Sequence, residues 1–163
     1  KEDIPVITGQ AHISGDGWKD SQNTEELLGT TGQKKGIEAV KLNVGTVGNQ
    51  FTGGIEYQAH VQDVGWQNWT NTGNIAGTTG QSKHIEAMRI RLTGEVAQYA
   101  DVYYRMHVAN FGWLGWAKNG EKSGTEGYAY RLEALQIKLV PKGTENPELP
   151  TPASAKKEAF IKK

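Results

Sequence analysis

Histidine, tryptophan and glutamate recur in this chain at matched intervals, and these are residue types able to move protons, ligate a metal or stack on a sugar ring. His12, His60 and His107 stand 48 and then 47 residues apart, as do Trp18, Trp66 and Trp113, and as do Glu38, Glu86 and Glu133. Three equivalent histidines around an axis are a conceivable zinc set, and three carboxylates a conceivable acid–base set. Neither chemistry follows from the spacing. Glycosidase chemistry needs two carboxylates in unlike environments across one bond, whereas residues related by an internal threefold are alike and held apart. No nucleophile with a matching base, no phosphate-binding glycine motif and no Asp-rich metal loop accompanies them. The sequence therefore points to a non-catalytic chain with no metal and no cofactor.

The intervals belong to a repeated unit of about 48 residues. Ala59-His60-Val61, Gly65-Trp66, Gly77-Thr78-Thr79-Gly80-Gln81 and Ile85-Glu86-Ala87-Met88 make up the second copy, and the first and third follow the same order. From each Gly-Trp tryptophan to the next loop glycine the distance is 11 residues in every copy, which marks a structural period. Each unit opens with a strand-like run: Ile55, Tyr57, Ala59 and Val61 alternate with Glu56, Gln58, His60 and Gln62, the period-2 pattern of a half-buried strand. Each closes with a second one, in which Met88, Ile90 and Leu92 alternate with Arg89 and Arg91. No segment sustains a helical period. The Gly-Thr-Thr-Gly stretch supplies the positive φ angles of a tight connection.

A unit of two or three strands with one apolar face is not stable alone, but three such units can bury their faces on one another. The expected fold is a single all-β domain over residues 4–140, in repeats of about 4–49, 50–98 and 99–140, with pseudo-threefold symmetry; a β-prism is preferred and a β-trefoil is the alternative. Residues 141–153, with four prolines between Pro141 and Pro152, read as a linker. Residues 154–163 resemble a Ser-capped amphipathic helix, the start of a following domain or a disordered tail.

Composition narrows the partners. Eighteen Lys and Arg balance 18 Asp and Glu, so there is no basic field for nucleic acid, and no apolar run approaches the roughly 20 residues that insert into a membrane. The absence of Cys excludes disulfides, and Lys1-Glu2-Asp3 is not a targeting segment, consistent with a cytosolic chain or a mature or excised piece of an exported one.

Strand phase assigns roles to the recurring residues. His60 and its equivalents fall on the polar face, where they should bond a neighbouring loop or a ligand. Glu38, Glu86 and Glu133 stay in phase with the apolar positions and should point inward, each tying down the Gly-Thr-Thr-Gly loop that precedes it. Trp18, Trp66 and Trp113, present in every copy, suit core packing. Trp69 and Trp116 are replaced by Ser21 in copy one, and Tyr57 and Tyr104 by Gly9; side chains that one copy lacks are not essential to the repeat. Trp69 and Trp116 are therefore candidate exposed platforms for a sugar ring, with Gln33, Gln81, Thr79 and Asn68 supplying polar contacts. The candidate ligand-binding set is Trp69, Trp116, Trp66, Trp113, Gln81, Gln33, Asn68, His60 and His107. One such shallow site binds at about millimolar, near 4 kcal/mol; several facing one polymer gain roughly 100-fold.

The ordered motif His-Val-x-x-x-Gly-Trp-x-x-Trp, Gly-Thr-Thr-Gly-Gln, Ile-Glu-Ala-Met-x-Ile-x-Leu resembles the clostridial hydrophobic repeats with a characteristic Trp, the ChW repeats, over about 140 residues. Copy three departs, with Glu126-Gly127-Tyr128 in place of Thr79-Gly80-Gln81. The resemblance implies a secreted or cell-surface, Gram-positive module, monomeric and non-catalytic, that binds cell-wall peptidoglycan or a surface glycan and targets an attached hydrolase. The segment from Ala155 to Lys163 is similar to the opening of an endo-β-N-acetylglucosaminidase domain. A structural or protein-interaction module with no sugar site is the alternative.

Overall fold

The computed structural model describes residues 4–45 and 52–163, so the expected boundary between the first two repeats, near residue 50, lies outside the described residues. The first repeat contributes β1 (Val6–Ile13), β2 (Gly17–Trp18), β3 (Gln22–Asn23), β4 (Leu28–Gly29) and β5 (Ile37–Gly45). The second contributes β6 (Gly54–Val61), β7 (Gly65–Trp66), β8 (Thr70–Asn71), β9 (Ile75–Gly77) and β10 (Ile85–Thr93). After one helical turn, α1 (Val96–Tyr99), the third supplies β11 (Ala100–Val108), β12 (Gly112–Trp113), β13 (Ala117–Lys118), β14 (Lys122–Glu126) and β15 (Leu132–Pro141). A final strand, β16 (Phe160–Lys162), follows the proline-rich stretch.

In each repeat the long first and last strands pair antiparallel, β1 with β5, β6 with β10 and β11 with β15, and the short second and third strands fold back on the first. The fourth strand does not stay at home. β4 pairs with β15, β9 with β5 and β14 with β10, so each repeat lends one strand to a neighbour and the three sheets close in a ring. The result is the expected all-β domain of three repeats, 3% helix and 51% strand, arranged as three sheets.

Glycine makes the exchange possible. A Cβ on Gly29, Gly77 or Gly124 would stand 2.3, 2.3 or 2.5 Å from the carbonyl oxygen of Glu133, Glu38 or Glu86, and all three glycines have positive φ. No other residue type allows the lent strand to lie so close.

The inward faces of the long strands form one core in which Ile7, Leu42, Tyr57, Ile90, Tyr104 and Ile137 are almost wholly buried. Large and small residues trade places around it. A Cβ on Gly9 would meet Leu28 and Leu42, at 2.9 Å from the nearer, so leucines fill the space that the rings of Tyr57 and Tyr104 take in the other copies. The variation between Gly9 and the two tyrosines is thus a packing compensation, not a mark of ligand binding. Both phenols satisfy backbone groups: Tyr57 Oη accepts from the Leu42 amide at 3.1 Å and donates to the Asn74 carbonyl, and Tyr104 Oη donates to the Glu121 carbonyl.

One expectation is overturned at the C-terminus. The segment expected to be an amphipathic helix is extended, and β16 lies parallel to β14, Gly124 opposite Phe160 and Glu126 opposite Lys162. Ten residues are too few for helical and extended periods to be told apart, and the open edge of β14 decides the matter by offering backbone partners. Ala159 and Ile161 pack against the core cluster from that edge.

Candidate functional site

Each repeat assembles a frame of His, Trp and Glu on the outer surface of its sheet. The tight turn between the first and second strands puts Trp18 opposite His12, Trp66 opposite His60 and Trp113 opposite His107. The rings meet edge to face at centroid distances of 5.3, 5.3 and 5.1 Å. The three tryptophans, expected in the core, are instead half-buried on the outer face. A cation lies over each indole: Lys41 at 4.5 Å from Trp18, Lys122 at 5.5 Å from Trp66 and Arg105 at 4.0 Å from Trp113.

The glutamates complete the frame through a β-bulge. Ile13 opposes Ile37 and His12 opposes Ala39, which leaves Glu38 as an extra residue; Glu86 and Glu133 occupy the same place in their strands. A bulge re-aims the side chain, and the inward direction expected from strand phase is overturned. Glu38 Oε1 lies 3.0 Å from His12 Nδ1, Glu86 Oε1 3.1 Å from His60 Nδ1, and Glu133 Oε1 bonds His107 Nδ1 at 3.0 Å. The second carboxylate oxygen distinguishes the copies. In copy two it meets His84 Nε2 at 3.2 Å, and in copy three Arg131 donates to it at 3.0 and 2.9 Å. The equivalent residue in copy one is Gly36, where a Cβ would touch His84 at 3.2 Å and Arg131 at 3.3 Å, so these three positions converge on the pseudo-threefold axis.

Strand exchange also redistributes the loops. The Thr30 amide donates to the Glu133 carbonyl and the Thr78 amide to the Glu38 carbonyl, both at 3.0 Å, so each Gly-Thr-Thr-Gly loop is held by a glutamate of another repeat, not by its own. The expected set is thereby split: the loop bearing Gln81 is tied to repeat one and that bearing Gln33 to repeat three. The frame of copy two receives the departing loop, Glu126 to Tyr128. There Glu126 accepts the Trp66 indole N–H at 3.2 Å. Burial raises the pKa of the Glu126 carboxyl, but that bond and the nearby Lys162, His60 and Lys122 outweigh it and hold it low.

His60, Gln62, Asp63, Glu86, Glu126, Gly127 and Ala129 line an open cleft of about 370 Å³ at this junction. Its lining mixes carbon surface with the polar ends of His60, Gln62, Asp63, Glu86 and Glu126, a combination that suits the hydroxyl, amide and C–H faces of a sugar or peptide. Asp63 and Gln62 were invisible as site residues in the sequence, because the turn that carries them faces a loop 60 residues away in the chain. Among the described residues no group of three His, Cys, Asp or Glu could hold a metal ion.

Trp69 and Trp116, expected as open platforms, are both half-buried. Arg91 covers Trp69 at 3.9 Å with Arg89 at 5.0 Å, and Arg105 lies 5.0 Å from Trp116. The Trp116 indole N–H donates to the Pro150 carbonyl at 2.9 Å, so the proline-rich segment runs across it. Asn68 is exposed beside Trp69, and Gln81 and Gln33 are exposed at their loop tips.

No curated protein and no solved structure matches the chain. The family model described as Clostridial hydrophobic W matches residues 12–48, 60–94 and 107–141, in three tandem copies. Those spans cover more than half of the sequence and each begins at the histidine of a His-Trp-Glu frame, so the chain belongs to the ChW family.

Proposed function

We propose that this protein is a non-catalytic attachment module that holds a cell-wall polymer or surface glycan, peptidoglycan foremost, in the clefts between its repeats. One observation supports this reading above others: an open cleft lined with hydrogen-bonding groups at the junction of repeats two and three, with Glu126 fixed at its rim by Trp66. Sugars and peptide stems present hydroxyls, amides and amines to such a lining. The other repeats carry the same His-Trp-Glu frame, so a polymer that also engages a second frame gains avidity without any single tight contact. The module works at the cell surface, outside the membrane, and anchors whatever hydrolase is joined to it.

The test is co-sedimentation of the full chain with purified cell walls. Glu126→Gln combined with His60→Ala should lower the bound fraction severalfold, since both side chains line the cleft and neither belongs to the apolar core. Trp69→Ala should act in the same direction if the polymer extends along the sheet. Undiminished binding by the Glu126→Gln, His60→Ala variant would remove this cleft from the site, and no retention on walls at all would favour the second reading, a protein-interaction module. That second reading has one observation of its own, an extended segment seated along a sheet edge in repeat three.

A further inference from the structure

We propose that repeat three carries a strand-acceptor groove for an extended peptide of apolar residues flanked by lysines, filled in cis by residues 156–163 and open to the same sequence in trans. The groove lies between the turn that carries Trp113 and Trp116 and the outer edge of β14. Backbone bonds run along its whole length. Lys156 donates to the Trp113 carbonyl at 3.0 Å, Gly115 to Glu158 at 2.9 Å, Gly124 to Ala159 at 2.9 Å and Lys163 to Glu126 at 2.9 Å.

The equivalent edge in repeat two shows that the fold does not need this strand. There the Gln67 side chain takes its place, its Oε1 accepting from the Gly77 amide at 2.8 Å and its Nε2 donating to the Gly77 carbonyl at 3.2 Å. A primary amide imitates one peptide unit. In repeat three the corresponding residue is Leu114, which cannot do so, and the Gly124 amide turns to Ala159 instead.

The departures of repeat three from the other copies converge on the same segment. Gly115 replaces Asn68 and Asp20, and a Cβ there would stand 2.2 Å from the Lys157 carbonyl oxygen. Glu126 replaces a threonine and lies 3.7 Å from Lys162 Nζ. Tyr128 replaces a glutamine, and Lys163 Nζ sits 5.9 Å from its ring centroid. Leu114, Gly115, Glu126 and Tyr128 thus have one common explanation, an extended strand with lysines at its end.

No deeply buried side chain anchors the segment. From Ala155 to Lys163 no side chain is fully buried; Ala155, Ala159, Phe160 and Ile161 are half-buried and the rest exposed. A strand held by backbone bonds at an edge and by a few half-buried side chains belongs to the low-stability part of a fold. Backbone pairing supplies affinity and alternate side chains supply selectivity, as in other strand-addition sites. Tethering gives the cis strand an effective concentration on the order of millimolar, which a peptide in trans must match.

The experiment is amide hydrogen exchange on the full chain. With Ala159→Asp and Ile161→Asp together, the Gly115 and Gly124 amides should exchange at least about tenfold faster, while Met88 and Ile90 in the central strand keep their protection. A synthetic peptide of residues 150–163, added at millimolar concentration, should restore the protection of Gly115 and Gly124, and a scrambled peptide should not. Unchanged exchange at Gly115 and Gly124 in the double variant, or failure of the peptide to restore it, overturns the proposal. Should the double variant lose its core protection, Gly115→Ala in the full chain reads the same contact from the other side. Its added methyl meets Lys157, so the Lys156 and Lys163 amides should lose protection, and their retention overturns the proposal.

Discussion

At the scale of single residues, the glutamates show how one repeated side chain is given unequal duties. Glu86 serves His60 and His84, Glu133 serves His107 and Arg131, whereas Glu38 serves His12 with Gly36 at the remaining position. Removing a nearly buried acceptor costs about 1–3 kcal/mol when its donors are left without a partner. Chemical denaturation should therefore rank Glu86→Gln and Glu133→Gln as more destabilising than Glu38→Gln; equal midpoints would show that the second partner contributes nothing. Asp101 gives a pH-dependent counterpart. Burial raises its pKa, but bonds from Asn119 and the Gly143 amide and the ammonium of Lys142 outweigh it and hold it low. A carboxyl whose folded pKa is depressed adds stability that is complete above its unfolded value, about 3.9, and is lost as pH falls through the folded value. The melting temperature of the parent should drop on acidification below about pH 4, and Asp101→Asn should flatten that drop while lowering stability at neutral pH.

At the scale of elements, the glycines of the Gly-Thr-Thr-Gly loops do two different jobs. Gly77 (φ +93) lies where a Cβ would collide with the Glu38 carbonyl at 2.3 Å, while Gly80 (φ +75) has nothing within 4 Å. Gly80→Ala meets only the left-handed backbone cost, about 1–2 kcal/mol. Gly77→Ala adds the clash and must push β9 off β5, so it should cost more than about 2 kcal/mol. Thermal melts of the two variants separate these effects; similar losses would mean that the exchanged strand is not held as closely as the geometry indicates. The loops were legible in the sequence as positive-φ connections. Their destination was not, because nothing in a local window tells whether a short strand pairs within its own repeat or crosses to the next. The bulge at Glu38, Glu86 and Glu133 escaped for a similar reason: one extra residue inverts the phase on which strand reasoning depends.

At the scale of the whole molecule, the ring of lent strands makes the three repeats mutually dependent. Without repeat three, β10 loses β14 and β4 loses β15, so two sheet edges and their apolar faces are opened together. A fragment of residues 4–98 should therefore show no cooperative thermal transition, whereas the full chain should melt in a single one. A cooperative melt of that fragment would establish that two repeats suffice. The ring also explains why the junctions are unequal: each joins the last strand of one repeat to the lent strand of another, so a substitution in either partner changes only one of the three.

Period and alternation alone determined the all-β class, the three copies, the long strands and the inward-facing apolar residues, because these depend on local pattern repeated in order. The polar placement of His12, His60 and His107 followed from the same alternation. Tertiary structure alone decided which repeat each Gly-Thr-Thr-Gly loop serves, that Trp18, Trp66 and Trp113 lie on the outer face, that Gly9 is balanced by Leu28 and Leu42, and that residues 160–162 form a strand. The loops, the Gly9 exchange and the last strand depend on partners distant in sequence, and the tryptophans on a turn whose pairing with the histidine strand becomes definite only in the folded sheet. Backbone groups at a sheet edge pair with whatever strand arrives, and which strand arrives is fixed by the closure of three repeats around one core.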